Sequence, residues 1–201
     1  MREDEFLQEL KKININISDE QINMLKIYKN YLQSQNELYN LTALISDEDI
    51  YLKHFYDSIV VSKYYNFNDI KSIADIGTGA GFPGVILKIF FPNLKVYLVD
   101  SNGKKIKFLN ELIKLLNLNQ IVTINSRIEN LNLKTDAVIA RAVGSISYLA
   151  ELSYNVYQKD LILMRGRKEE ISQNLLNSLN LKIIKQEEYL LPVTKDIRNI
   201  I

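Results

Sequence analysis

Three features of the chain predict an α/β fold in which a parallel sheet carries helices on both faces. From Ser72 onward, short apolar runs alternate with amphipathic ones, the order that yields parallel strands joined by crossover helices. Four of the seven glycines crowd between Gly77 and Gly84, directly behind the first apolar run. Glycine weakens helices and strands, so this concentration marks a turn where backbone approaches something closely. Ahead of Gly77 there is no glycine at all, and apolar residues recur there at helical intervals.

The helical segment comes first. Ser18-Asp-Glu-Gln21 has capping-box spacing, and Ile22, Leu25, Tyr28 and Leu32 then repeat along one face. After a turn around Asn36 to Thr42, Ser46-Asp-Glu-Asp49 signals another start, followed by Ile50, Leu52, Phe55, Tyr56, Ile59 and Val60 in a second helix. His54 and Asp57 stand three apart in that helix and share a face. They are the only histidine–carboxylate candidate. No third partner is visible, so they read as a pair tying the helix to its neighbour rather than as an acid–base couple. Tyr64 to Asp69 links into the sheet, which makes residues 1–66 a helical extension and 67–201 the core, packed as one domain.

Strands are predicted at Ile73 to Ile76, Val96 to Asp100, Ile121 to Asn125, Asp136 to Ala140 and Leu161 to Met164. Helices fall near Val85 to Phe91, Lys104 to Leu116 and Ser145 to Tyr157, the middle one striped by Ile106, Leu109, Ile113 and Leu116. A further helix after Glu169 and a hairpin, Leu181 to Tyr189 with Ile197 onward, close the chain. The last strand stops abruptly at Ile201.

The strand, glycine turn and helix of Ser72 to Phe91 make the first half of a nucleotide site. Gly79-Ala-Gly81-Phe-Pro-Gly84 also fits the fingerprint that seats a dinucleotide pyrophosphate on a helix N-terminus. Asp75 tips the balance between the two ligands. A carboxylate two residues before Gly77 would repel pyrophosphate but suits the cationic end of S-adenosylmethionine. Asp100 closes the second strand, where it can accept hydrogen bonds from ribose hydroxyls of either cofactor.

Composition narrows the classes further. With 47% hydrophobic and 24% charged residues the chain is ordinary for a globular protein, and no apolar run approaches a membrane span. The start, Met1-Arg-Glu-Asp-Glu5, is acidic where a secretory leader is basic. There is no cysteine, hence no disulfide, thiolate or sulfur-bound metal, and a cytoplasmic setting is expected.

A net charge of +1 gives no global attraction to nucleic acid. The residues just beyond the strands are nonetheless basic: Lys104, Lys105 and Lys107, then Arg127, Arg141, and Arg165, Arg167 and Lys168. Ligands of such sheets bind beyond the strands' carboxyl ends, so a polyanion can be gripped along this one rim.

In order along the chain, these residues resemble a known family, the bacterial small-subunit (16S) ribosomal RNA guanine-N7 methyltransferases, also called glucose-inhibited division protein B. The match runs through Asn40-Leu-Thr-Ala43, Lys53-His-Phe-Tyr-Asp-Ser58, Asp75-Ile-Gly-Thr-Gly-Ala-Gly-Phe-Pro-Gly84, Asp100-Ser-Asn-Gly-Lys-Lys105, Arg127-Ile-Glu129, Ala140-Arg-Ala142 and Arg165-Gly-Arg167. The resemblance implies the class I S-adenosylmethionine-dependent methyltransferase (Rossmann-like) fold with an N-terminal helical extension. It carries cofactor contacts onto Gly77, Phe82, Ile128, Glu129 and Arg141, beside the turn glycines Gly79 and Gly81 and the acids Asp75 and Asp100. Arg141 is then the expected catalytic residue, Lys104, Lys105, Arg127, Arg165 and Arg167 the RNA-binding ones, with no metal. The implied partner is 16S rRNA in the small ribosomal subunit or its assembly intermediate, bound by a monomer. Two departures stand out: Arg165 replaces a lysine common in the family, and the closing strand looks cut short.

Guanine N7 carries a lone pair and no proton, so its methylation needs no general base. Alignment of the reacting atoms dominates, and it can supply about 7–11 kcal/mol of barrier reduction at best. The rival readings are a methyltransferase for a protein or small molecule, a non-catalytic RNA-binding or ribosome-assembly protein, and an oxidoreductase using NAD.

Overall fold

The computed structural model describes residues 1–166 and 169–201. Its centre is a seven-stranded sheet of β1 (Ser72–Ile76), β2 (Lys95–Asp100), β3 (Ile121–Asn125), β4 (Thr135–Arg141), β5 (Tyr157–Arg165), β6 (Glu187–Leu190) and β7 (Ile197–Ile200). They lie in the order β3-β2-β1-β4-β5-β7-β6. β1 to β5 pair in parallel, and β7 runs antiparallel between β5 and β6. The closing strand is therefore not an incomplete edge. Ile201 exchanges backbone hydrogen bonds with Leu163 at 2.8 and 3.0 Å, and β6 takes the edge. The first arm of the hairpin is shorter than the sequence predicts, because β7 is four residues long and gives 181–186 nothing to pair with.

The period of two along each strand assigns side chains to layers. In β1, Ile73 packs toward a core that also holds Val96, Leu98, Ala137 and Ile139, while Ala74 and Ile76 face a second core with Val99, Val138 and Ala140. Asp75 pairs in register with Leu98 and Ile139. Asp75, Asp100 and Arg141 thus share the parity of the first layer and point to the side covered by the N-terminal helices.

That side is built by α1 (Glu3–Lys12), α2 (Asp19–Tyr39), α3 (Asp47–Asp49), a π-helical stretch Ile50–Tyr56, α4 (Asp57–Ile59), α5 (Gly84–Phe90) and α6 (Gly103–Leu115). The opposite face is covered by α7 (Ile146–Ser153), and α8 (Gln173–Ser178) follows β5. The Ser18–Gln21 box forms as expected, Gln21 N–H donating to Ser18 Oγ at 3.2 Å and Ser18 N–H to Gln21 Oε1 at 2.9 Å, which satisfies orphan donors of the first turn. Leu25, Tyr28 and Leu32 are buried, each contributing about 1.5–3 kcal/mol by leaving water. The second predicted helix is continuous but widens into a π turn. Ile50, Tyr51, Leu52, His54, Phe55 and Tyr56 are all buried, so this stretch has no solvent face to keep it on a simple amphipathic period.

The extension and the sheet share one apolar core that runs from Phe6 and Leu10 through Phe55 and Phe82 to Ile139 and Met164. Among the described residues no helix is long and apolar enough to cross a membrane.

Candidate cofactor and RNA site

The glycine turn divides into an open half and a packed half. Gly77 and Gly79 have φ of +68° and +61°, the left-handed region where side chains are strained. A Cβ on Gly79 would meet nothing closer than 3.9 Å and would project into free space, whereas one on Gly77 would strike Val143 Cγ2 at 2.5 Å, so the open part of the turn is Gly79. Beside this half runs a groove of about 280 Å³ lined by Gly77, Asp100, Ser126, Arg127, Ile128, Glu129, Val143, Tyr148 and Leu149. The structure therefore brings five predicted residues together: Gly77, Asp100, Arg127, Ile128 and Glu129. A larger apolar cavity of about 320 Å³ between β5 and α8 includes none of the glycine turn.

Asp100 anchors the groove's rim. Its Oδ2 accepts from Gly79 N–H at 3.0 Å and its Oδ1 from Asn102 N–H at 2.8 Å, and Lys105 Nζ lies 3.8 Å away. Each carboxylate oxygen keeps a further lone pair for a hydroxyl donor. Glu129 accepts from Tyr148 O–H at 3.0 Å. Its own backbone N–H first, and the Tyr148 hydroxyl second, hold its carboxyl below the ordinary range. Tyr148 was not singled out by sequence; its place opposite Glu129 depends on how α7 docks, which no local pattern encodes.

The packed half has different business. A Cβ on Gly81 would come within 2.6 Å of Val85 Cγ2 and 2.7 Å of Tyr28 Oη, and one on Gly84 within 2.7 Å of Asp75 Oδ2. Asp75 has no exposed surface. Its Oδ2 accepts from Thr78 O–H at 2.6 Å and Gly84 N–H at 2.8 Å, and its Oδ1 has no partner. Burial raises this carboxyl to about 6, against the pull of those hydrogen bonds. The expected direct approach to a sulfonium is not what the geometry offers: strand parity turns Asp75 under the start of α5, where it braces Thr78 and Gly84 and does not line the groove.

Phe82 is buried too, stacked on His54 with centroids 4.4 Å apart and on Tyr28 at 5.2 Å. The Arg141 guanidinium lies 5.3 Å over the same ring. Neither Phe82 nor Arg141 lines the groove. Arg141 Nη1 donates to Lys53 O at 3.1 Å, Asp57 Oδ2 at 3.2 Å and Ser58 Oγ at 3.3 Å. The His54–Asp57 pairing does not form. His54 Nε2 shares a hydrogen bond with Thr42 Oγ1 at 3.1 Å, and Asp57 turns to Arg141. Burial first, and the Arg141 charge second, push the imidazole down to about 4, so His54 is neutral at physiological pH.

The basic rim survives in part. Lys104, Lys107 and Arg127 are exposed. Arg165 is not available for RNA: Nη1 donates to Val143 O at 2.9 Å, Nη2 to Gly144 O at 2.8 Å, and Nε to Glu169 Oε1 at 2.8 Å. It braces the loop after β4. Arg167 and Lys168 lie outside the described residues. Among the described residues no cluster of His, Cys, Asp or Glu could hold a metal ion.

The model of the rRNA small subunit methyltransferase G family matches residues 21–201. The chain belongs to that family. A Macrococcus caseolyticus relative named ribosomal RNA small subunit methyltransferase G is 43% identical over 85% of this chain and 75% of its own length. An Oceanobacillus iheyensis relative of the same name is 38% identical over all of this chain and 90% of its own. Among solved structures, magnesium protoporphyrin IX methyltransferase from Synechocystis with bound S-adenosylmethionine superposes with a TM-score of 0.62 at 15% identity, over 92% of this chain and 96% of that one. The fold is thus the class I methyltransferase fold. As a member of the methyltransferase G family the chain is an S-adenosylmethionine-dependent rRNA methyltransferase.

The residues present fit that cofactor. Gly79 offers the space that a Cβ would fill, Asp100 presents acceptors at the adjacent strand end, and Ile128, Val143 and Leu149 supply apolar walls. That combination of flat apolar walls with one acidic corner suits a nucleoside.

Proposed function

We propose that this chain methylates N7 of one guanine in the 16S rRNA of the small ribosomal subunit, acting as a monomer. The observation that carries the reading is the open position of the glycine turn, where Gly79 donates its N–H to Asp100 and Gly77, Asp100 and Glu129 line one groove beside exposed Arg127 and Lys104. When bound, S-adenosylmethionine supplies an electrophilic methyl group on a positively charged sulfur.

The chain's own residues then have three tasks. Gly77 and Gly79 let backbone approach the cofactor, and Asp100 orients its ribose. Lys104, Lys107 and Arg127 attract phosphates, each a salt-sensitive contact. Arg141, at the end of β4, presents its guanidinium beside the turn. No residue serves as a general base. His54, the single histidine, is buried and neutral, in keeping with a nucleophile that has no proton to lose.

The test uses purified chain, methyl-labelled S-adenosylmethionine and small subunits lacking the modification. Label is expected in 16S rRNA, with strand scission at one guanine after reduction and aniline treatment, a reaction that requires N7-methylation. Absence of label would favour a non-catalytic RNA-binding or assembly role. Label at another atom would overturn the N7 assignment.

A further inference from the structure

The carboxylate of Asp57 is a junction between three parts of the chain that are remote in sequence. It is buried, with a side chain 8% exposed. Its Oδ2 accepts from Arg141 Nη1 at 3.2 Å, at the end of β4. Its Oδ1 accepts from Tyr189 O–H at 2.8 Å on β6 and faces Arg198 Nε at 3.5 Å on β7. The two oxygens therefore divide the work, one holding Arg141 and the other held by the closing hairpin.

The guanidinium is held along one edge only. Among the described residues all of its hydrogen bonds use Nη1, shared among Asp57, Lys53 O and Ser58 Oγ. Nε–H and the Nη2 donors have no acceptor among the described residues, and neither nitrogen is a buried orphan. Arginine presents five donors in a rigid fork, so clamping one corner fixes the direction of the others. The Phe82 ring, its centroid 5.3 Å from the guanidinium carbon, adds a cation–π contact to that hold.

We propose that Asp57 is a positioning residue for methyl transfer, aiming the free Nε/Nη2 edge of Arg141 toward the reacting groups, and that Tyr189 and Arg198 hold Asp57 in place. The closing hairpin thereby contributes to a site it does not touch. This rests on the proposed function, in which Arg141 serves the reaction. A held carboxylate differs from a mere structural ion pair in one respect: its effect on turnover must pass through Arg141.

The experiment is a double-mutant cycle in the full chain, read under single-turnover conditions with excess enzyme, separating the maximal rate from the concentrations at half-saturation. Asp57→Asn preserves shape but replaces the acceptor facing Arg141 with an amide. Its maximal rate is expected to fall about tenfold or more, the kinetic equivalent of one charge-assisted hydrogen bond. Half-saturation for S-adenosylmethionine should move less than the rate. Tyr189→Phe removes one oxygen and leaves the carboxylate, so it serves even where Asp57→Asn fails to fold, with an expected loss of about two- to fivefold. Both effects should vanish in an Arg141→Ala background.

Unchanged maximal rates for Asp57→Asn and Tyr189→Phe in well-folded protein would overturn the inference, as would equal fold losses with and without Arg141. Full activity of Arg141→Ala would instead remove the role given to Arg141 itself. Inactive wild-type protein would defeat the methylation reading, so the failures are distinguishable.

Discussion

Gly79 and Gly81 stand two residues apart in the same turn, both with positive φ, yet for opposite reasons. At Gly79 an added Cβ would find its nearest neighbour 3.9 Å away; at Gly81 it would strike Val85, Tyr28 and Leu109 at 2.6, 2.7 and 3.0 Å. Gly81 and Gly84 are closed in by neighbouring side chains and Gly77 by Val143 at 2.5 Å, while Gly79 alone is left open beside Asp100. A glycine-rich turn is therefore not a uniform ligand loop. Here its packed part serves the fold, and its open position is the proposed cofactor seat.

The most severe way to break the packed half is Gly81→Ala. Strain at φ +104° and overpacking each cost about 1–3 kcal/mol, so a loss of about 2–6 kcal/mol in urea unfolding is expected. A loss below about 1 kcal/mol, within the usual range for a tolerated site, would mean that Tyr28 and Leu109 yield easily and that the division of the turn is wrong.

His54, stacked on Phe82 of the turn, and Asp75 beneath it are buried groups whose titrations act with opposite signs. Below pH 6.5 the unfolded chain protonates its histidine while folded His54, held near 4, does not, so stability falls with acid. Asp75, raised to about 6, takes up a proton before its unfolded counterpart at 3.8, so it returns stability over the same interval. Between pH 7 and 5 each term amounts to about 1–2 kcal/mol. His54→Asn should flatten the loss of stability on acidification and Asp75→Asn should steepen it, measured as urea midpoints. Parallel profiles for all three proteins would contradict the burial of these groups.

A smaller effect sharpens the open half. Arg165→Gln removes the charge and cannot reproduce the three directed contacts to Val143, Gly144 and Glu169. It should cost about 1 kcal/mol of stability and leave the salt dependence of RNA binding unchanged. A flatter salt dependence would return Arg165 to the RNA-binding rim.

Much of this was legible in the sequence. The five parallel strands stand within a few residues of their predicted places because period-two burial and strand-end acids are local signals, and the Ser18 box forms as spelled. Asp75 was read from its chemistry without its parity. Counting two residues from Ile73 would have turned it toward the helical layer. Arg165 was counted as rim charge because its acceptors are backbone carbonyls of a loop some twenty residues earlier, invisible to composition. The π-helical stretch and the Asp57 junction were illegible for one shared reason. Both are set by what packs around Ile50–Tyr56 from the sheet and the closing hairpin, and sequence spacing carries no record of that.

The open half is tested most directly by calorimetric titration of S-adenosylmethionine into the wild-type chain and Gly79→Ala. The added methyl group projects into free space, so stability should fall by only about 1–2 kcal/mol, the cost of a left-handed alanine. Affinity for the cofactor should fall about tenfold or more, equivalent to at least 1.4 kcal/mol. Undiminished binding by a folded Gly79→Ala protein, or wild-type protein that binds NAD and not S-adenosylmethionine, would contradict the assignment of this half as the cofactor seat.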